Sequence, residues 1–159
     1  MLKVLNNKGH WMDLRFKKAS SNKDYQDIFN HTIDAFSDSP DFNWTIEEIK
    51  REVNDGWVVY SASVEDEIIA AVFIKKVGKD LLSKNTAIKM DHQGSGFSHD
   101  IKRFIEKEGK VLGAKKIYHY CRIDNFRMYS LNESHGYKQT KREIDTDQTV
   151  EWIKEIWFA

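Results

Sequence analysis

Apolar positions along the chain fall into two periods. In "WMDLRFKKA", Met12, Leu14 and Phe16 alternate with Asp13, Arg15 and Lys17, the period of a strand with one buried face. "DYQDIFNHTIDAF" instead spaces Tyr25, Ile28, Phe29, Ile33 and Phe36 as a helix does, with Ser20, Ser21 and Asn22 placed to cap it. Pro40, the only proline, marks a loop before a second helix. That helix opens at Thr45, which with Glu48 makes a capping box, and Gly56 ends it. Three apolar runs follow, "WVVYSASV", "IIAAVFIKKV" and "LLSKNTAIKM", with "EDE" and "GKD" between them. They predict an antiparallel meander whose third strand reaches Met90. After Gly96 a helix runs to about Leu112 with Ile101, Phe104 and Ile105 on one face, and Gly113 stops it. "KKIYHYCRI" is a strand, "NFRMYSLNES" a helix stopped by Gly136, and "YKQTKREI" and "TVEWIKEIWF" are two closing strands.

The predicted order is β-α-α-β-β-β-α-β-α-β-β. A strand–helix–strand crossover near residues 80–122 sits in an otherwise antiparallel sheet, which makes the fold class α+β. Length (159 residues, 18.7 kDa) and composition (40% hydrophobic, 31% charged) predict one folded domain over 1–159 with a real core, residues 1–10 being an N-terminal extension. Basic and acidic side chains balance at 25 each, so nothing favours nonspecific nucleic-acid binding, although a local phosphate pocket remains open. No apolar run is long enough to span a membrane, no signal-peptide core is visible, and the single cysteine, Cys121, cannot form an internal disulfide. A cytoplasmic protein is expected.

The chemistry-bearing stretch is "MDHQGSGFSHDIKRFIE", in which Gly94, Ser95 and Gly96 precede the amphipathic helix. A helix N-terminus carries backbone N–H groups without partners and partial positive charge. Glycines before it let a bulky anion approach, so strand, "QGSG" and helix make a sensible diphosphate cradle. The same glycines could merely shape a tight strand-to-helix turn. No Gly-Lys-Ser/Thr ending follows, and the spacing does not fit the dinucleotide fingerprint.

"IKMDHQGSGFS" resembles motif A of the GNAT N-acetyltransferases, an apolar strand end followed by Arg or Gln, then x-x-Gly-x-Gly/Ala. Gln93, Gly96 and Ser98 fill these positions, with Ser98 where Gly or Ala is usual and Gly94 matching the Arg-Gly-x-Gly form. "NFRMYSLNESHGYK" resembles motif B, Asn-x-x-Ala-x-x-Leu-Tyr-x-x-x-Gly-Phe, through Asn125, Leu131, Gly136 and Tyr137. Met128 replaces the alanine and Asn132 the tyrosine, a variant that some GNAT-like sequences share. The element order from Leu14 to Phe158 also fits.

The resemblance implies a mixed, mostly antiparallel, splayed central sheet flanked by helices. It implies acetyl-CoA as cosubstrate and direct acetyl transfer to a primary amine of a small molecule, by a monomer or homodimer. Backbone amides of Gln93, Gly94, Ser95, Gly96, Phe97 and Ser98 would hold the pyrophosphate. Backbone of Ile88 and Met90 would pair with the pantetheine arm, the Ile88 N–H would meet the developing oxyanion, and Asn125 would touch the arm from the other side. The usual thiolate acid is the motif B tyrosine, where Asn132 can only donate a hydrogen bond, and Tyr129 lies one helical turn earlier. A glutamate that often serves as base is replaced by Leu82. His119, with Cys121 on the same strand face, is a base candidate, although it reads first as a core or surface strand residue. His92 reads as a solvated loop side chain, and two ligands without a third argue against a metal at His119 and Cys121. Phe29, Phe36, Phe42, Trp44, Trp57 and Tyr60 read chiefly as core near the acceptor side. The competing reading is a coenzyme A-binding or regulatory module that kept the fold and lost catalysis.

Overall fold

A computed structural model describes residues 3–5, 11–32, 44–141 and 149–156. The expectations placed on Ile33, Phe36, Pro40, Phe42 and the chain end at Phe158 lie outside the described residues. The strands are β1 (Lys3–Leu5), β2 (Trp11–Lys18), β3 (Val58–Val64), β4 (Glu67–Val77), β5 (Asp80–Asn85), β6 (Lys116–Arg122), β7 (Lys138–Gln139) and β8 (Thr149–Glu155). The helices are α1 (Asn22–Thr32), α2 (Ile46–Asn54), α3 (Phe97–Val111) and α4 (Phe126–Ser134). This is the expected mixed α+β architecture, with β1 added in the stretch read as an extension and paired antiparallel to β2.

Backbone contacts group the chain into two compact units. The first takes the described residues of Met1–Phe73 and Asn85–Ile101, with strands in the order β1-β2-β3-β4. The register of β2 on β3 is antiparallel, from Leu14 opposite Val64 to Lys18 opposite Tyr60. Ala19, Ile28, Ile49, Val59, Ala71 and Phe73 form its core, with Phe29, Trp44 and Trp57 packed against it. Trp44 meets Phe73 edge-on at 5.5 Å, so these rings are core, as the sequence suggested. The Thr45 hydroxyl accepts from the Glu48 N–H at 3.2 Å and starts α2. The β3–β4 hairpin turns on Glu65 and Asp66, at φ 49° and 70°, in place of the glycine such turns favour.

The second unit takes the described residues of Ile74–Lys84 and Lys102–Ala159, with strands in the order β4-β5-β6-β8-β7. Here β5 and β6 run parallel, Asp80 opposite Lys116 to Ser83 opposite His119, and β6 runs antiparallel to β8 along its whole length. The parallel ladder ends at Ser83–His119, yet β6 continues through Tyr120, Cys121 and Arg122 on its β8 side. That one-sided ending is the opening expected of a splayed sheet. The third meander strand is shorter than its apolar pattern implied: β5 ends at Asn85, and Met90–His92 form a single 3₁₀ turn.

Helix α3 crosses β6 at Gly109. A Cβ there would lie 3.3 Å from the Cδ1 atoms of both Ile117 and Ile156. Gly109 is therefore a spacer, letting the helix backbone approach the sheet more closely than a side chain permits. Gly109→Val is expected to lower stability by about 1–3 kcal/mol through overpacking, measured as a fall in the urea midpoint with an unchanged m-value. An unchanged midpoint would mean that the interface has slack.

Candidate active site

The glycine loop begins where β5 lets go. In the first unit Thr86 still pairs with Ala71, its N–H reaching the Ala71 carbonyl at 3.0 Å and its hydroxyl accepting the Ala71 N–H at 2.9 Å. The next bond joins the Lys89 N–H to the Ile69 carbonyl at 2.9 Å. Ala87 and Ile88 thus stand opposite Ala70 alone, the two-against-one count of a β-bulge. The Ile88 N–H donates to no backbone acceptor among the described residues, which leaves it available to an external oxygen.

The chain then folds back. The Gln93 side chain donates to the Ile88 carbonyl at 2.8 Å and the Gln93 N–H to the Met90 carbonyl at 3.2 Å. His92 is not the free loop side chain that the sequence suggested. Its Nε2 lies 3.2 Å from Glu67, which Lys89 also approaches at 3.6 Å, and its ring faces Phe97. Burial pushes the Glu67 carboxyl up, but His92 and Lys89 together hold it below its ordinary value. This ion-paired clasp fixes the 3₁₀ turn before the loop.

Gly94 and Gly96 have φ of 82° and 84°, a conformation that side chains resist, and a Cβ on either would meet nothing within 4 Å. The glycines are needed for backbone shape, and the space beside them is open. Gln93 donates to Met90, and the His99 N–H donates to the Gly96 carbonyl at 3.1 Å. Between them the N–H groups of Gly94, Ser95, Gly96, Phe97 and Ser98 donate to no backbone acceptor among the described residues. Five successive free donors at the start of a fifteen-residue helix suit an anion with several oxygens.

The second unit holds the residues considered for catalysis. Asn125 caps α4, its side chain accepting the Met128 N–H at 3.3 Å. The Tyr129 hydroxyl donates to the Ile123 carbonyl at 2.8 Å, and its ring packs on Trp152. Its proton is thus already committed. Asn132 is fully buried, with neither atom of its amide hydrogen-bonded. Leu82 is half-buried and pairs in register with Tyr118.

His119 is fully buried, and its tautomer follows from counting protons. The Ser83 hydroxyl gives its only hydrogen to the Tyr118 carbonyl at 2.8 Å, so the His119 Nδ1 at 2.9 Å must be the donor to Ser83. The lone pair is left on Nε2, which has no partner. Burial, with Lys102 adding to it, holds the imidazole well below its ordinary pKa, so it is neutral at pH 7. Among the described residues, no third ligand-type side chain joins His119 and Cys121 to make a metal site.

Sequence reasoning missed Lys102. It is 1% exposed, its Nζ has no hydrogen-bond partner, and it sits 4.5 Å above the Tyr137 ring. The available signal was spacing, since Lys102 lies on the α3 stripe of Ile105 and Gly109. Burial lowers its pKa from 10.5 to about 7.

Solved structures share this fold. The ribosomal-protein-S18-alanine N-acetyltransferase from Escherichia coli superposes with a TM-score of 0.74 at 14% identity, over 92% of this chain and 96% of that one. The GNAT domain of S. lividans PAT gives 0.72 at 15% identity over 98% and 96%. The PaiA N-acetyltransferase from Thermoplasma acidophilum, solved in complex with coenzyme A, gives 0.73 at 12% identity over 91% and 99%. No protein-family model and no curated protein matches the sequence. The chain has the fold of the GNAT superfamily of acetyltransferases. Among the described residues no helix is long and apolar enough to cross a membrane.

Lys102 makes stability depend on pH with a definite sign. Its folded pKa lies below the unfolded one, so its penalty is greatest below the folded value and fades as pH rises. Cys121 and Tyr137 oppose this at higher pH, because burial raises both, Cys121 to about 11. The rise therefore falls between roughly pH 7 and 8.5, and is worth about 1–2 kcal/mol. Chemical denaturation across that window is expected to show the rise in the wild type and none in Lys102→Met. A flat wild-type profile would mean that Lys102 does not change charge in this range.

Proposed function

We propose that this protein is an acetyl-CoA-dependent N-acetyltransferase that moves an acetyl group directly to a primary amine of a small molecule. The observation that carries the reading is the run of five unpaired N–H groups from Gly94 to Ser98 at the head of α3, in a chain with the GNAT fold. A diphosphate is the anion of matching size and charge. The Gly94–Ser98 backbone would hold it without a cationic side chain, the Gln93 N–H being taken by the Met90 carbonyl.

The bulge supplies the second element. An acetyl thioester passes through a tetrahedral oxyanion when an amine attacks, and a fixed N–H aimed at that oxygen lowers the barrier. The Ile88 N–H, which has no backbone acceptor among the described residues, would be such a donor, and the Met90 backbone would pair with the pantetheine arm. The amine must arrive or become neutral before it attacks. His119 remains neutral with a bare Nε2 lone pair, so it can accept a hydrogen bond from within the fold but not hold a proton, and solvent takes the proton that the amine sheds.

Asn132 and Leu82 support a second reading, a coenzyme A-binding regulatory module, since neither can act as acid or base. Release of thiol with a panel of primary amines separates the two, because only the enzyme turns over.

Calorimetric titration with acetyl-CoA and CoA is expected to give dissociation constants in roughly the micromolar range. Gly96→Glu puts bulk and negative charge into the open cradle and strains a backbone at φ 84°, so affinity should fall at least about a hundredfold, some 2.7 kcal/mol. Retained affinity in that variant would overturn the cradle, and no binding by the wild type would overturn the reading itself.

A further inference from the structure

The face of the sheet on which α1 packs changes character along its length. At one end Ala19 and Val59 are buried in the cluster that holds Ile28 of the helix. Towards the β3–β4 turn the same face becomes polar. Arg15 stands opposite Ser63, and Lys17 opposite Ser61. Residues in register on neighbouring strands project to one side, as do positions two apart on a strand. These four side chains therefore form one patch. The intervening Leu14, Ala62 and Val64 face the other way and are buried.

A cavity of about 470 Å³ opens over this patch, with every lining residue in the first unit. It is walled by α1, through Asp24, Asp27 and Ile28, and by Ile68 of β4. A space of this size is enough for a small molecule. Most of the charges around it are spent on each other. The Lys17 ammonium lies 3.3 Å from the Asp24 carboxylate, which also takes the Ser20 N–H at 2.9 Å, and Lys23 lies 3.1 Å from Asp27. The bond from the Ser20 N–H holds the Asp24 carboxyl below its ordinary value, so that pair stays ionised at neutral pH. Lys18 and Asp66 carry opposite signs and offset each other.

Arg15 is what remains. Among the described residues, neither its guanidinium nor the Ser63 hydroxyl opposite has a hydrogen-bond or ion-pair partner. The cavity thus holds one uncompensated cation with a planar fork of donors, a hydroxyl beside it, and apolar surface from Ile28 and Ile68.

We propose that this cavity is a binding site for a small monocarboxylate with a short aliphatic body. The carboxylate lies on the Arg15 fork, Ser63 donates to the same group, and the hydrocarbon covers Ile28 and Ile68. One positive charge in excess matches a carboxylate better than a doubly charged phosphate, which Asp24, Asp27 and Asp66 would repel. None of the lining residues belongs to the glycine loop or the bulge, so the site stands independently of the coenzyme reading.

The test is a titration of the isotope-labelled full chain with hexanoate, acetate, hexanamide and inorganic phosphate, followed by amide NMR shifts. Hexanoate should give saturable shifts centred on Arg15, Ser63 and Ile68, with a dissociation constant of about 1 mM. Acetate lacks the body and hexanamide lacks the charge, so each should bind at least about tenfold more weakly. Arg15 occupies an exposed strand position, so its replacement should leave the fold intact. Arg15→Gln should weaken hexanoate at least about tenfold, and Arg15→Lys should recover only part of that, because an ammonium lacks the fork. Ser63→Ala is the second variant, with an expected loss of about threefold. Acetate or phosphate binding as tightly as hexanoate would mean an adventitious anion on a surface arginine. That result, equal binding of hexanamide, undiminished affinity in Arg15→Gln, or no saturation in the wild type at tens of millimolar would each overturn the site.

Discussion

The candidate site depends on one constraint: a backbone N–H that leaves the sheet must find another partner or be left for a ligand. In the first unit the bulge at Ala87 and Ile88 interrupts pairing to β4, and the chain is recaptured at Lys89. The Gln93 side chain closes this excursion by taking the Ile88 carbonyl, while the Ile88 N–H stays unclaimed. Gly94 and Gly96 then turn the chain into α3 with its amides still unspent. Each of these features alone is common. Their succession over a dozen residues is what turns the end of a strand into a row of aligned donors.

In the second unit a similar accounting identifies chemistry by what is left over. Ser83 has one proton and gives it to a carbonyl, which forces the tautomer of His119 and bares its Nε2. Tyr129 spends its hydroxyl on Ile123 and is thereby withdrawn from proton transfer. Lys102 has three donors and a charge with nothing to receive them. Interiors seldom leave such groups unmatched without a use for them.

Much of this architecture was legible in the sequence, where the determinants are local. Thr45 and Glu48 announce α2 because a capping box closes within four residues. Gly113, at φ 76°, ends α3 for an equally local reason. Features set by a distant partner were not legible. "LLSKNTAIKM" stays apolar enough to read as strand to Met90, yet its end is decided by how Ala71 and Ile69 pair with it. β1 is three residues long and exists through its pairing with β2. Lys102 was passed over, because its place on the stripe of Ile105 and Gly109 does not by itself say how deeply α3 will sink onto β6. Gly109, which sets that depth, was not singled out either.

Cys121 has a consequence of its own for anyone handling this protein. Its thiol is partly exposed, yet burial keeps it protonated to about pH 11. Alkylating reagents, maleimides and peroxide all react with thiolate, so this sulfur should be sluggish towards them despite being visible at the surface. The only cysteine in the chain is thus a slow handle for labelling near neutral pH.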